Sequence, residues 1–298
     1  MAFKDARGQR GLYPAAVTRT ERISPHFVRV TLRGEALSRL PHRGYDQWFR
    51  LFLPLFPGET DLTALPQQFG VAGYLKFKTS SLAAKLAVRN YTVREHRPEA
   101  EEIDIDFVVH GSSPAGQGAA GRVSGARGAG ERGGASQFRD KDAGIGSVWA
   151  QRARPGDAVA LIDQGRGFDP IPETGLYLLA GDESARPAIL GILRDLPSDS
   201  RGLALIEVPE PADECQEVNA PEGFEIRWLC RQGDNTLDAS ATPGSAALAG
   251  LRDFHPENPT ALTAYVAGER TLATEGYRHL ASAGVPKARI QFIGYWRA

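Results

Sequence analysis

The pattern of apolar residues changes near the middle of the chain, and this change restricts the folds that the chain can adopt. In the first half, short segments such as residues 27–33 alternate apolar and polar side chains, which is typical of half-buried antiparallel strands. In the second half, the apolar run 176–180 precedes a helical pattern that begins near Pro187, as expected for buried parallel strands joined by helices. The chain therefore divides into two unlike parts.

The first half predicts a small β-barrel. After the strand at residues 27–33, strands are predicted at 48–53, 103–109 and 158–162. Several short strands with few long helices favour a barrel. In the third strand, apolar residues share one face, and the other face carries Asp106, Val108 and His110, because successive strand residues point to opposite sides.

The second half predicts a parallel sheet with crossover helices. Strands are expected at 203–208, 224–230, 264–267 and 289–293, with helices from Pro187 and over 271–283. Ligands of such sheets bind beyond the carboxyl ends of the strands, where the turns 181–184 and 268–270 are expected. The glycine-rich dinucleotide fingerprint is absent from the sequence, so a nicotinamide cofactor would have to bind in another way.

Composition excludes several classes of function. The net charge of −1 gives no electrostatic basis for binding nucleic acid. No apolar run approaches the length that spans a bilayer, and residues 1–10 lack the apolar core of a secretory signal. The two cysteines, Cys215 and Cys230, have no metal-ligand spacing. We therefore expect a cytoplasmic protein without membrane insertion and without a metal site of its own.

The segment 89–94 concentrates groups that suit a flavin dinucleotide. Tyr91 offers a flat ring, Thr92 a hydroxyl, and Arg89 and Arg94 two forked guanidinium groups for phosphate. The alternative is an ordinary strand that alternates large and polar residues. The segment alone does not decide between these interpretations.

Glycines also precede a predicted short helix that runs through residue 153. Gly146 and Ser147 at the start of this helix would leave backbone N–H groups free to contact a phosphate. Ser147 would otherwise serve only as the N-cap.

Residues 112–143 follow neither the strand pattern of the first half nor the strand–helix pattern of the second half. This segment is rich in glycine, serine and alanine and has almost no large apolar residue, so it cannot bury enough surface to offset its ordering entropy. We predict a flexible insertion here, and a lid over a bound ligand is the alternative.

Several motifs in a fixed order resemble the siderophore-interacting protein family, the flavin-dependent ferric-siderophore reductases. Residues 22–32 resemble the first strand of that family, and Asp106 to Gly111 the strand after its flavin motif. Further matches lie at residues 147–150, 155–157, 180–185 and 294–297. The resemblance implies a fold like that of ferredoxin–NADP reductase: an N-terminal antiparallel flavin-binding barrel, then a parallel-sheet nicotinamide-binding domain.

The resemblance also implies the division of the chain and the roles of its residues. An FAD-binding barrel domain would span residues 1–170, with the insertion 112–143, and an NAD(P)H-binding-like α/β domain would span 171–298. Asp182 and Glu183 would be the catalytic residues. The residues expected to bind FAD or the nicotinamide cofactor are Arg89, Tyr91, Thr92, Arg94, Asp106, Val108, His110, Gly146, Ser147, Val148, Trp149, Gly181, Ser184, Gly268 and Glu269.

Structural roles compete with some of these assignments. His110 could be a hydrogen-bonded structural histidine, and Trp149 could be part of the core. Asp182 and Glu183 could cap the following helix and favour its dipole. Basic residues of the second domain are candidates for a cofactor phosphate or an anionic siderophore: Arg231, Arg270, Lys287 and Arg297.

The expected activity is the FAD-dependent reduction of a ferric siderophore, with electrons from NADPH, NADH or ferredoxin. Siderophores hold iron(III) through hard oxygen donors, and reduction to iron(II) weakens that match, so that the iron is released. Two alternatives remain. The chain could be a general flavin reductase or ferredoxin-linked oxidoreductase, or a non-catalytic protein that binds ferric siderophores.

Overall fold

Two β-sheets of different type organise the chain. The computed structural model describes residues 11–56, 60–66, 71–109, 144–171, 175–232 and 242–298. Within these ranges, a seven-stranded sheet forms from the N-terminal half and a five-stranded sheet from the C-terminal half. The predicted insertion 112–143 and His110 lie outside the described residues.

The first sheet is antiparallel and barrel-like, which confirms the predicted class of this half. Its strand order is β4-β3-β7-β1-β2-β6-β5, and every neighbouring pair is antiparallel. The elements of this half are β1 (Leu12–Ser24), β2 (Phe27–Arg33), β3 (Trp48–Pro54), α1 (Val71–Lys78), β4 (Leu86–Thr92), β5 (Glu95–Arg97), β6 (Glu102–Val108), α2 (Ile145–Arg152) and β7 (Ala158–Asp163).

Strand β6 has one apolar face and one acidic face. Its apolar side chains on one face, Ile103, Ile105 and Phe107, are fully buried in the core of this half. The opposite face carries Asp104 and Asp106, which are also buried. Their charges are matched, because Arg97 donates to Asp104 at 2.8 Å and Arg29 donates to Asp106 at 2.6 Å. Buried carboxylates need such partners.

The longest strand, β1, was not predicted. Its first half buries Tyr13 and Val17, but its second half is a polar and charged run with no apolar alternation. The segment 22–32, which resembles a single strand of the family, contains the turn of a hairpin: β1 ends at Ser24, and β2 begins at Phe27. Hydrophobic periodicity in a sequence reveals a strand only where one face of that strand is buried. The second half of β1 is held by backbone pairing with β2, which leaves no such period.

The second sheet is parallel, as predicted, with strand order β10-β9-β8-β11-β12. All the strands and helices predicted for this half are present, and α4 is additional. The elements are β8 (Leu176–Gly181), α3 (Arg186–Asp195), β9 (Arg201–Val208), β10 (Gly223–Cys230), α4 (Ser245–Arg252), β11 (Leu262–Glu269), α5 (Arg270–Ser282) and β12 (Ile290–Trp296).

Helices cover both faces of this sheet. Ile189 and Leu193 of α3 pack with Leu179 on one face. Helices α4 and α5 pack on the other face, which explains why β8 is an unbroken apolar run. No helix in the described part of the chain is long and apolar enough to cross a membrane.

Buried polar contacts join the two halves. The buried carboxylate of Asp213 accepts hydrogen bonds from the Ser24 hydroxyl at 2.6 Å and from the His26 backbone N–H at 2.9 Å. Arg194 of α3 donates to the backbone oxygen of Arg94 at 2.9 Å. The predicted domain boundary at 170/171 lies between β7 and β8 and stays a prediction.

Close packing of α3 against the first half predicts the effect of two matched substitutions. A Cβ atom at Gly191 would lie 2.2 Å from the backbone oxygen of Tyr45. A Cβ atom at Gly250, inside α4, would make ordinary contacts of 3.5 Å with Leu205 and Leu229. We expect Gly191→Ala to lower the free energy of unfolding by about 1–3 kcal/mol through overpacking, whereas Gly250→Ala raises it by up to about 1 kcal/mol through helix propensity. Urea unfolding of both variants measures these changes, and equal effects would contradict the predicted contact.

Candidate functional site

A cavity of about 540 Å³ lies where the two sheets meet. This volume is typical of a site for a small molecule. One wall is formed by β3, β4, β6 and the start of α2, and the other by the turn after β8 and the end of β12. The predicted site residues that line it are Arg89, Tyr91, Thr92, Asp106, Val108, Gly146, Ser147, Glu183 and Ser184.

Tyr91 and Gly146 fit together at the floor of the cavity. Tyr91 lies on β4, and its ring centroid is 4.3 Å from that of Phe107. A Cβ atom at residue 146 would lie only 1.8 Å from the Tyr91 hydroxyl oxygen, so only glycine leaves room for this ring. Burial raises the pKa of the Tyr91 hydroxyl, and the group therefore stays neutral.

The amino end of α2 forms an anion-compatible wall. The helix begins at Ile145 after Gly144, which supplies no side-chain cap. Gly144, Gly146 and Ser147 all line the cavity. The backbone N–H groups of the first turn and the helix dipole favour a negatively charged ligand at such a position. Because Ser147 lies inside the first turn, the alternative that it is the N-cap is wrong.

The two motif arginines differ in position. Arg89 is exposed at the cavity wall and, among the described residues, donates only to the neighbouring backbone oxygen of Val88, at 2.9 Å. Its charge is thus available to a phosphate. Arg94 does not line the cavity; its Nε lies 3.7 Å from the Asp106 carboxylate, near Arg29. Its assignment to the cofactor stays a prediction.

Asp182 is enclosed below the cavity wall. Its carboxylate accepts hydrogen bonds from the Ser184 backbone N–H at 2.9 Å, the Glu269 backbone N–H at 2.6 Å and the Trp296 indole at 3.0 Å. Burial and the neighbouring charge of Glu183 raise the pKa of Asp182 to about 6. This fully buried group is placed to hold three turns together, and its predicted catalytic role stays a prediction.

Glu183 lines the cavity, but its negative charge is already neutralised by an arginine. Arg231 donates to both carboxylate oxygens of Glu183 at 2.7 Å and to Glu207 at 2.7 Å. Arg231 is 8% exposed. Contrary to the expectation from sequence, this guanidinium is therefore not available for a phosphate or an anionic siderophore.

The remaining predicted residues support the cavity and do not line it. Val148 and Trp149 are buried in the core of the first half, so any role with the cofactor would use their backbone atoms. Glu269 caps α5 by accepting from the backbone N–H groups of Thr271 and Leu272. Gly181 and Gly268 are buried beside these groups, and His110 lies outside the described residues.

Sequence reasoning missed several lining residues. Trp48 pairs with Thr92 in the sheet register, and only the strand pairing reveals this neighbour. Tyr295 and Trp296 lie at the carboxyl end of β12. The rule that ligands bind beyond such strand ends could have identified them. Asp46 carried no signal in the sequence.

These residues fit FAD. The glycine cradle at Gly146, the aromatic walls, the exposed Arg89 and the amino end of α2 offer surfaces for a flat ring and for a diphosphate. The close approach of Tyr91 to Gly146 brings the motif on β4 against the start of this helix.

Comparisons with known proteins identify relatives of the chain. Residues 16–128 match the Siderophore-interacting FAD-binding domain, and residues 174–298 match the Siderophore-interacting protein family. The chain is 31% identical to an uncharacterized protein of Mycobacterium bovis, over 75% of this chain and 67% of that protein.

Two characterised relatives are reductases by name. The chain is 29% identical to the ferric vibriobactin reductase ViuB of Vibrio cholerae, over 96% of this chain and 90% of that one. It is also 29% identical to the NADPH-dependent ferric-chelate reductase of Escherichia coli, over 75% of this chain and 72% of that one. Among solved structures, a siderophore utilization protein from T. fusca superposes with a TM-score of 0.68 and 27% identity, covering 96% of this chain and 92% of that one.

Gly146→Ala and the matched Gly250→Ala provide a test of the cofactor cradle. Gly146→Ala would push Tyr91 from its place, whereas a Cβ atom at Gly250, which does not line the cavity, would make only ordinary contacts. We expect Gly146→Ala to weaken FAD binding by roughly 5- to 150-fold, the equivalent of about 1–3 kcal/mol of overpacking. Gly250→Ala should bind FAD as the wild type does. Titration of FAD fluorescence measures both affinities, and equal weakening would contradict the cradle.

The raised pKa of Asp182, about 6, predicts a pH-dependent stability. Between the ordinary pKa of about 4 and this value, the folded state binds more protons than the unfolded state, so stability falls as the pH rises. The amide side chain of an Asp182→Asn variant cannot titrate. The advantage of the wild type over this variant in free energy of unfolding should therefore be largest near pH 4 and shrink by roughly 3 kcal/mol by about pH 7. A difference that does not change with pH would refute the shifted pKa.

Proposed function

This chain belongs to the siderophore-interacting protein family, and we propose that it is an FAD-dependent oxidoreductase that reduces ferric siderophores and so releases ferrous iron. The observation that carries the proposal is the cavity between the sheets, where Tyr91, Gly146 and the start of α2 meet. The names of two relatives, a ferric vibriobactin reductase and a ferric-chelate reductase, support the same reaction.

The residues of the first half would hold the cofactor. Tyr91 would lie against the flavin ring and Thr92 would contact its polar edge. Arg89 and the N–H groups at the start of α2 would neutralise the diphosphate. When bound, FAD supplies the exchange between two-electron hydride transfer and single-electron transfer.

The residues of the second half would receive the electron donor. Glu183 and Ser184 line the cavity at the carboxyl end of β8, where ligands of parallel sheets bind. Asp182 would position Ser184 and Trp296 through its hydrogen bonds. We propose NADPH or NADH as the donor, with NADPH favoured by the name of the Escherichia coli relative, and ferredoxin as an alternative donor.

Three basic side chains of the second half are candidates for binding anionic groups. Arg270, Lys287 and Arg297 are exposed or partly exposed in the second half and are candidates for the cofactor phosphate or an anionic siderophore. Arg231 is excluded from this set by its ion pairs. We propose that the reaction takes place in the cytoplasm, where NADPH is available.

An iron-trapping assay tests the proposal. The FAD-loaded protein is mixed anaerobically with NADPH or NADH and with the ferric complex of a tris-hydroxamate or a tris-catecholate siderophore, in the presence of an iron(II) chelator. We expect iron(II) to form in proportion to the nicotinamide oxidised, at two iron(II) ions per NADPH because each ferric ion accepts one electron. Protein that is depleted of FAD is the control and should show no turnover.

Other outcomes select the alternatives. Iron(II) that forms only with reduced ferredoxin would select a ferredoxin-linked oxidoreductase. Oxidation of NADPH with artificial acceptors but with no ferric siderophore would select a general flavin reductase. Tight binding of the ferric complex without turnover from any donor would select a binding protein.

A further inference from the structure

A row of hydrogen-bonded groups runs from Tyr295 in the cavity wall through the buried Tyr265 to Asp46. The hydroxyl oxygens of Tyr295 and Tyr265 are 2.8 Å apart. The Tyr265 hydroxyl is 3.1 Å from a carboxylate oxygen of Asp46. Tyr295 and Asp46 line the cavity, whereas Tyr265 is fully buried and Asp46 is 1% exposed.

The hydrogen bonds of this row can all point the same way. The backbone N–H groups of Gly167 and Phe168 donate to Asp46 at 3.0 and 2.8 Å, so its carboxylate accepts every bond, and Tyr265 must donate to it. Tyr295 can then donate to Tyr265. A proton added at the Tyr295 hydroxyl can move along the row by one exchange per bond, which leaves Asp46 protonated and both bonds reversed.

Asp46 is buried without an ion-pair partner among the described residues, as are Asp182 and Glu269, but of these three carboxylates only Asp46 accepts from a tyrosine hydroxyl. Asp106, Asp163 and Glu183 each pair with an arginine. Among the described residues, no lysine, arginine or histidine forms an ion pair with Asp46. The titratable groups that face it are Tyr265 of β11 and, beyond it, Tyr295 of β12, which in turn lies near the charge of Asp182. Burial raises the pKa of Asp46, although the hydrogen bonds from Phe168 and Tyr265 oppose this.

The proposed reaction leaves a proton behind, and this inference rests on that proposed function. A hydride from NADPH brings two electrons and one proton into the cavity. Two ferric ions each accept one electron and no proton, so the balance is NADPH plus two iron(III) giving NADP⁺, two iron(II) and one proton. We propose that Tyr295 and Tyr265 conduct this proton away from the flavin and that the Asp46 carboxylate holds it until it returns to solvent.

The proposal predicts the order in which products appear. When protein that has been reduced with one equivalent of NADPH is mixed with ferricyanide, an iron(III) acceptor whose ligands take up no proton, iron(II) should form first, as ferrocyanide. One proton per two iron(II) ions should then reach a pH-indicator dye after a delay. Stopped-flow absorbance follows both signals in the same experiment, in H₂O and in D₂O.

Matched tyrosine substitutions test the route. Tyr265→Phe and Tyr295→Phe remove one hydroxyl each from the row. Tyr177→Phe is the control, because Tyr177 packs against the same Phe168 ring as Tyr265 but donates to the Ile171 backbone oxygen. We expect the two row variants to slow iron(II) formation by at least about tenfold, below the roughly 100-fold that acid–base groups commonly contribute, and to lose the solvent isotope effect of the wild type. Tyr177→Phe should behave as the wild type does.

Asp46→Asn tests the acceptor, since asparagine can still accept from the backbone but cannot hold the proton. We expect the delay between iron(II) and proton release to disappear in this variant. A readout without FAD is the infrared band of protonated carboxylic acid, followed against pH in FAD-free protein. In the wild type this band should persist to a higher pH than an ordinary aspartic acid would, and Asp46→Asn should lack that component.

Two failures are distinguishable. If the wild type reduces iron but all the variants match Tyr177→Phe in rate, isotope effect and proton timing, the row is structural and the inference is overturned while the proposed function stands. If the FAD-loaded wild type reduces no ferric complex with any donor, the proposed function fails, and the inference fails with it.

Discussion

The buried carboxylate of Asp182 is the interaction on which the C-terminal wall of the cavity depends. Its donors are the Ser184 N–H after β8, the Glu269 N–H at the end of β11 and the Trp296 indole at the end of β12. An unpaired carboxylate in this position would cost several kcal/mol. The three turns must therefore stay in one arrangement. Because Ser184 and Trp296 line the cavity, the same hydrogen bonds that stabilise the sheet edge also determine the shape of the site.

Several other buried carboxylates are balanced by arginine side chains. Arg29 pairs with Asp106 in the first half, and Arg231 pairs with Glu183 and Glu207 in the second. Such pairs hold their groups in one charge state. Asp46 has only neutral donors, so its protonation is free to change. Asp182 likewise has only neutral donors, but of the two only Asp46 accepts from a tyrosine hydroxyl, the contact through which we propose that it exchanges a proton with the cavity.

The sequence predicted both types of sheet, but it did not predict every strand. Strands with apolar alternation or buried apolar runs, such as β6 and β8, were found because burial leaves a period in the sequence. Strand β1 was missed because its charged second half is held by pairing to β2. The site was predicted in part: Arg89, Tyr91, Thr92 and Gly146 line the cavity. Arg94, Val148 and Trp149 do not line it, although they belong to the same motifs.

The sequence by itself determined the order of the two sheet types, the aromatic and basic motif on β4 and the glycine-rich start of α2, because these depend on residues that are neighbours in the chain. Only the tertiary structure decided which side chains meet. It placed Gly146 under the Tyr91 hydroxyl, committed Arg231 to Glu183 and brought Tyr265 to Asp46 across 219 positions of sequence. Contacts between residues so far apart follow from strand order and packing, and no local pattern of residues encodes them.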